Sequence, residues 1–275
     1  MVRKERVVIM KLSEQTVGVI GAGNMATAIV KGLLSRMAPE QITVSDRSEE
    51  QLKKIAAFGV HTTVDNVATA KEADIVVLAV KPNIYPAVLE ELKGFTDKLY
   101  LTIAPGLSIA YIKSFFNAPV RVVRTMPNMP AQINRGMTAY TYESPVSEED
   151  AALARELLSC LGDCVYLEEK LLNGAVAVNG SGPAYVFMMI EAMADGAVAA
   201  GIPRQEAYRL AAKTVEGSAA MVAQTGFHPA QLKDMVCSPA GTTIEAVKVL
   251  EQRGFRAALM EAMKSCAEKS EAMGK

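Results

Sequence analysis

Hydrophobic and polar positions along this chain follow two different rhythms. Up to about residue 124, short apolar runs rich in β-branched residues alternate with stretches of helical period. The runs Thr16–Ile20, Gln41–Ser45, Ile75–Ala79, Leu99–Ala104 and Val120–Arg124 predict strands. The stretches between or after them, Met25–Ser35, Glu49–Phe58, Val64–Ala70, Ala87–Leu92 and Ile109–Phe116, predict helices. Such alternation requires right-handed crossovers and so a parallel sheet covered on both faces. One more helix, Ser147–Leu161 with Ser147 as its N-cap, and a short strand, Cys164–Leu167, close this half. From Glu168 the strand signal vanishes, and Ala, Met, Glu and Lys recur at helical spacing. Pro183, Pro203, Pro229 and Pro239 punctuate this stretch, each just before a helix start. The expected fold is α/β: a Rossmann-type doubly wound, mainly parallel sheet over residues 16–168, then an all-α dimerisation domain over 169–275. Residues 1–15 read as a disordered leader.

The first strand breaks into Gly21-Ala22-Gly23-Asn24-Met25-Ala26 and then a helix. Gly-x-Gly-x-x-Ala in that setting is the phosphate-cradling turn of a dinucleotide-binding fold. Gly21 permits the tight turn, Gly23 lets backbone approach a pyrophosphate, and Ala26 keeps the helix close to the strand. The free N–H groups and positive dipole end of that helix would face the phosphates.

Bulk properties remove several classes of partner. The 275 residues carry a net charge of −1 and are 50% hydrophobic. That balance marks neither a nucleic-acid binder nor a protein of anionic membrane surfaces. The richest apolar stretch, Gly174 to Gly201, is interrupted by Asn179, Pro183, Glu191 and Asp195, so a membrane span is not expected. Cys160, Cys164, Cys237 and Cys266 form no Cys-x-x-Cys pair, and His61 and His228 are the only histidines. Reduced thiols, no metal site and a cytoplasmic location are the expectation. The stripe Met188, Met189, Met193 reads as core or subunit interface. About a hundred residues of apolar helix make a thin bundle alone, which points to pairing with a second copy.

Other segments carry possible chemistry. The second strand ends Ser45-Asp46-Arg47. A carboxylate there favours NAD by accepting from the ribose hydroxyls, whereas an arginine pairs with a 2′-phosphate and favours NADP. Both are present and they argue in opposite directions. Ala79-Val80-Lys81-Pro82 places a lysine at the C-terminal edge of a parallel sheet, where ligands bind in such folds. Asn179-Gly180-Ser181-Gly182-Pro183-Ala184-Tyr185 and Ser238-Pro239-Ala240-Gly241-Thr242-Thr243 look built for anion contact, or else are plain helix–helix turns.

Over essentially its whole length the chain resembles the pyrroline-5-carboxylate reductases. The resemblance rests on the Gly21–Ala26 turn, Ala79–Pro82, Arg124-Thr125-Met126-Pro127-Asn128, Gly180–Tyr185, His228-Pro229-Ala230-Gln231-Leu232-Lys233 and the Ser238–Thr243 turn. It implies reduction of the cyclic imine Δ1-pyrroline-5-carboxylate to L-proline, the last step of proline synthesis, with NADPH, or NADH in its place. It further implies a cofactor held by Gly21, Gly23, Asn24, Met25, Ala26, Ser45, Asp46, Arg47, Asn66, Ala79, Val80, Lys81, Pro82 and Ala104. The imino acid's carboxylate would rest on Ser238, Gly241, Thr242 and Thr243, with Val176 beside the ring. Members of the family build the substrate pocket at a homodimer interface and often assemble dimers into larger rings. The chain departs from the family pattern at Val176 (commonly Thr), Pro105 (commonly Ala) and Ala240 (commonly Gly).

An imine suits what the sequence lacks. Ketone reduction leaves an alkoxide that needs a His, Lys or Tyr acid, but an imine nitrogen is basic enough to arrive protonated. Positioning and oriented dipoles then suffice. No lysine lies between Lys170 and Lys213, where the related β-hydroxyacid dehydrogenases carry theirs. The remaining alternatives are a reductase of a related cyclic imino acid and a dinucleotide-binding regulator without activity.

Overall fold

A computed structural model of the chain describes residues 11–273. The strands are β1 (Val17–Ile20), β2 (Ile42–Ser45), β3 (His61–Thr63), β4 (Ile75–Leu78), β5 (Leu99–Thr102), β6 (Arg121–Met126), β7 (Gly136–Tyr142) and β8 (Gly162–Tyr166). The helices interleaved with them are α1 (Asn24–Leu33), α2 (Glu49–Ala56), α3 (Asn66–Glu72), α4 (Tyr85–Leu92), α5 (Ile109–Lys113) and α6 (Glu148–Ser159). After β8 come α7 (Leu172–Ala175), α8 (Gly182–Ala199), α9 (Arg204–Thr225), α10 (Pro229–Val236), α11 (Thr242–Gln252) and α12 (Phe255–Met273). The chain divides into two compact units. One runs to Ser181 and takes in the chain from Cys266 onward; the other is Gly182–Ser265.

The first unit is the expected doubly wound domain. Its sheet has the order β3-β2-β1-β4-β5-β6-β7-β8, and every pair is parallel except β6 with β7. From β1 the chain winds outward to β2 and β3, then returns to place β4 on the other side of β1. A crevice therefore opens beyond the C-terminal ends of β1 and β4, where the winding reverses. Alternation along the strands feeds two cores. Val17, Val19, Ile75 and Val77 pack with α1, α2 and α6, whereas Ile20, Val76 and Leu78 pack with α3, α4 and α5. Ser147 caps α6 as expected, accepting the Asp150 N–H while the Asp150 carboxylate accepts the Ser147 N–H at 3.0 Å.

Two strands escape the hydrophobic pattern. β3 is three residues, His-Thr-Thr, at a sheet edge, too short and polar to register. β7 is Gly-Met-Thr-Ala-Tyr-Thr-Tyr, whose Thr and Tyr suit a strand but break the aliphatic run. The leader also needs correction over its described part; residues 1–10 lie outside the described residues. Leu12–Glu14 form one 3₁₀ turn because Leu12 is fully buried in the core and its N–H donates to Glu156 Oε2 at 2.9 Å.

The second unit is all-helical. Ala194, Ala207 and Ala211 are buried where α8 packs on α9, with Ile190, Val198 and Ile202 around them. Small side chains allow that close approach, but they bury little area. Phe187, Met188, Met193, Leu210, Met235 and Met260 stay exposed. Among the described residues, no helix is long and apolar enough to cross a membrane.

Candidate active site: a nucleotide cleft and a carboxylate turn

The glycine turn joins β1 to α1 in the crevice. Gly21 has φ +109°, and a Cβ there would lie 2.6 Å from the Ala79 carbonyl oxygen. Only glycine fits. Its N–H donates to the Ser45 carbonyl at 2.7 Å, and the Ala79 N–H donates to the Ile20 carbonyl at 2.8 Å, so the turn is stitched to both neighbouring strand ends. Gly23 is the N-cap of α1 and is exposed; a Cβ there would enter open space rather than meet protein. The N–H groups of Asn24, Met25 and Ala26 have no intrahelical acceptors at that end. A diphosphate fits this cradle, and a side chain at Gly23 would fill it. Ala26 is fully buried against the strand, as its role in close packing requires.

At the end of β2, Asp46 and Arg47 have different partners. Asp46 Oδ2 accepts the Ala22 N–H at 2.7 Å and Oδ1 accepts the Ser48 N–H at 2.8 Å. Its charge is thus spent on the glycine turn and the start of α2. Arg47 is exposed and lies 3.6 Å from Glu91 Oε1. Ser45 is buried, and its hydroxyl donates to Asn66 Oδ1 at 2.8 Å. Asn66 in turn donates through Nδ2 to Glu91 Oε2 at 2.8 Å.

These residues line one cleft of about 320 Å³, bounded by Gly21, Gly23, Ser45, Asp46, Arg47, Asn66, Ala79, Val80 and Lys81. Ile20, Ile84 and Val88 complete its wall. Ile84 and Val88 were legible only as apolar positions one turn apart, a pattern that equally marks core. Asn24, Met25, Ala26, Pro82 and Ala104 do not line it. Pro82 opens the 3₁₀ turn Pro82–Ile84 that leads into α4. Ala104 is buried, with its N–H directed at the Thr102 hydroxyl. Tyr85, directly below, donates to the Leu78 carbonyl at 2.7 Å and meets the Thr102 hydroxyl; burial pushes its phenol up. Its hydroxyl is fully buried and engaged by these two partners.

After α7 the helix widens into a π turn over Val176–Gly180, closed by the Ser181 N–H on the Val176 carbonyl at 2.9 Å. The segment Asn179–Tyr185, read as an anion contact or a helix–helix turn, begins with an amide that is turned into the protein. Nδ2 donates to the Met126 carbonyl at 2.7 Å and the Met137 carbonyl at 2.8 Å, and Oδ1 accepts from Asn128 Nδ2 at 2.9 Å. Asn179 therefore clamps the ends of β6 and β7 together. Val176 is half-buried against Met126, Ala139 and Leu172. The sequence also hid Arg124, a buried guanidinium on β6 that pairs with Glu169 at 3.1 Å and donates to Asn173 Oδ1 at 3.3 Å. Pairing partners so distant along the chain leave no local signal.

In the second unit, Ser238-Pro239-Ala240-Gly241 forms a tight turn with the Gly241 N–H on the Ser238 carbonyl at 3.0 Å. Ala240 takes φ +56°, the left-handed region. Gly241 is the N-cap of α11, and a Cβ there would collide with the Ser238 hydroxyl. Ser238 Oγ thus sits at the N-terminal end of α11 beside the exposed Thr242 and half-buried Thr243. A hydroxyl, free N–H groups and the positive end of the helix dipole thus meet at one helix N-terminus, a combination that favours anions.

The chain is similar to known proteins along nearly all of its length. Residues 169–273 match the family model described as pyrroline-5-carboxylate reductase dimerisation. Residues 16–106 match the model described as NADP oxidoreductase, coenzyme F420-dependent. The pyrroline-5-carboxylate reductase of Escherichia coli strain K12 is 46% identical over 95% of this chain and 99% of its own length. The Plasmodium falciparum pyrroline carboxylate reductase, crystallised with NADP bound, superposes with a TM-score of 0.88 at 29% identity, covering 96% of this chain and 99% of that one. The Coxiella burnetii pyrroline-5-carboxylate reductase superposes with a TM-score of 0.88 at 34% identity, covering 95% and 99%. A chain with this turn, this sheet order and this similarity along its whole length belongs to the pyrroline-5-carboxylate reductase family.

Proposed function

We propose that this protein reduces Δ1-pyrroline-5-carboxylate to L-proline with NADPH, and with NADH as a second donor. The observation that carries the reading is the 46% identity with the E. coli reductase over 95% of the chain. The cleft geometry supports it independently of that similarity. When bound, the nicotinamide supplies a hydride from its C4 to the carbon of the C=N bond. The N–H groups at the start of α1 would hold the diphosphate, Gly21 and Gly23 would let it come close, and Arg47 would meet a 2′-phosphate. Ser45, Asn66, Val80 and Lys81 would complete the wall of the nucleotide cleft. The Ser238 hydroxyl and the N–H groups of Thr242 and Thr243 hold the substrate carboxylate. The ring nitrogen arrives protonated, so no side chain is needed as an acid. The chain's task is then to orient two bound molecules and exclude water.

Self-association belongs to the same reading. Exposed Phe187, Met188, Leu210 and Met260 on the helical unit are apolar surface that a second copy would cover, with rings of dimers as the larger assembly.

Steady-state reduction of Δ1-pyrroline-5-carboxylate, run in parallel with NADPH and NADH, tests the proposal. The six-membered homologue serves as the competing substrate. Robust turnover of the five-membered ring is expected; turnover of neither ring by folded, nucleotide-binding protein would overturn it.

A further inference from the structure

Three elements remote in sequence bring a second carboxylate to the ribose end of the cleft. Glu91, the penultimate residue of α4, lies 3.6 Å from Arg47 through Oε1 and accepts the Asn66 Nδ2–H through Oε2 at 2.8 Å. Asn66, fixed at the other end by the Ser45 hydroxyl, presents the chain Ser45–Asn66–Glu91 beside Arg47. Asp46 does not compete for that arginine, because both its oxygens accept backbone N–H groups. Glu50, in the first turn of α2, is paired with Lys54. Glu91 is therefore the carboxylate that answers Arg47.

We infer that Glu91 is a specificity-determining residue that moderates the preference for a 2′-phosphorylated nucleotide; this rests on the nucleotide reading of the cleft. A 2′-phosphate brings about −1.5 to −2 charges at neutral pH. To take Arg47 it must draw the guanidinium away from Glu91 and settle near an uncompensated carboxylate. A ribose 2′-hydroxyl does neither and leaves the Ser45–Asn66–Glu91 chain intact. The glutamate thus penalises NADPH and spares NADH, keeping both within reach of one site. The effect is electrostatic and near the surface, so salt weakens it.

Glu91→Gln separates charge from hydrogen bonding, because the glutamine oxygen still accepts from Asn66. Dissociation constants for NADPH and NADH are measured by nicotinamide fluorescence on the parent chain and on the variant, at low and high salt. NADPH binds the variant about three- to tenfold more tightly at low salt, NADH stays within about twofold, and the gap narrows as salt rises. Equal changes for the two nucleotides, or a selective loss of NADPH, would overturn the inference. If the parent chain binds neither nucleotide, the reading of the cleft falls and the inference with it.

Discussion

Asp46, at the end of β2, is joined to Ala22 in the glycine turn: its carboxylate accepts the Ala22 N–H at 2.7 Å and, through its other oxygen, the Ser48 N–H at 2.8 Å. The acidic residue at the end of β2 thus shapes the phosphate turn. Charge-assisted bonds to backbone are worth about 1.5–3 kcal/mol each. Asp46→Ala is expected to lower the melting temperature and to weaken NADPH and NADH alike, each by about tenfold. A loss confined to NADH would show that Asp46 reads the ribose hydroxyl instead. Nucleotide titration with a parallel thermal melt decides the matter.

Arg47 is an exposed cation lining the same cleft as that turn. Arg47→Ala should weaken NADPH by about ten- to a hundredfold, the worth of a charge-assisted contact to phosphate, with NADH changed by less than about threefold. Equal losses in the two KM values would mean that Arg47 does not meet the 2′-phosphate.

Asn179 donates through Nδ2 to two strand-end carbonyls, those of Met126 and Met137. Asn179→Ala removes both donors and leaves Asn128 without its acceptor. Each buried carbonyl left unpaired costs about 1–3 kcal/mol, so a loss of about 3 kcal/mol is expected. Chemical denaturation of the variant, followed by a probe in the sheet, measures it. A loss below about 1 kcal/mol would show that water takes over the amide's bonds.

Ala240 sits at φ +56°, where a Cβ is strained by about 1–2 kcal/mol. Ala240→Gly relieves that strain, partly offset by the glycine's greater freedom when unfolded. The net gain is about 0.5–1 kcal/mol, read as a rise of about 2 °C in melting temperature at fixed protein concentration. If the turn holds the substrate carboxylate, KM for the imino acid changes by less than about threefold, because Ser238 and Gly241 keep their relation. A fall in melting temperature would show that the unfolded-state cost dominates.

The sequence by itself determined the parts governed by local rules. Aliphatic runs marked β1, β2, β4, β5 and β6 because buried parallel strands need apolar side chains on both faces. Gly21 and Gly23 were legible from their spacing after an apolar strand, Gly21 because a turn at positive φ accepts no side chain and Gly23 because a bare backbone at a helix start leaves the phosphate approach open. The helical half was legible from its spacing and its prolines. Tertiary structure alone decided what depends on partners far along the chain. β3 and β7 exist as strands because neighbouring edges accept their backbone, not because of their own side chains. Asp46 and Arg47 carried opposite signals until the fold placed Ala22 against one and Glu91 near the other. Asn179 looked like a ligand contact until β6 and β7 claimed its amide. A polar side chain's chemistry is set by whichever donors and acceptors surround it, and those neighbours come from the fold.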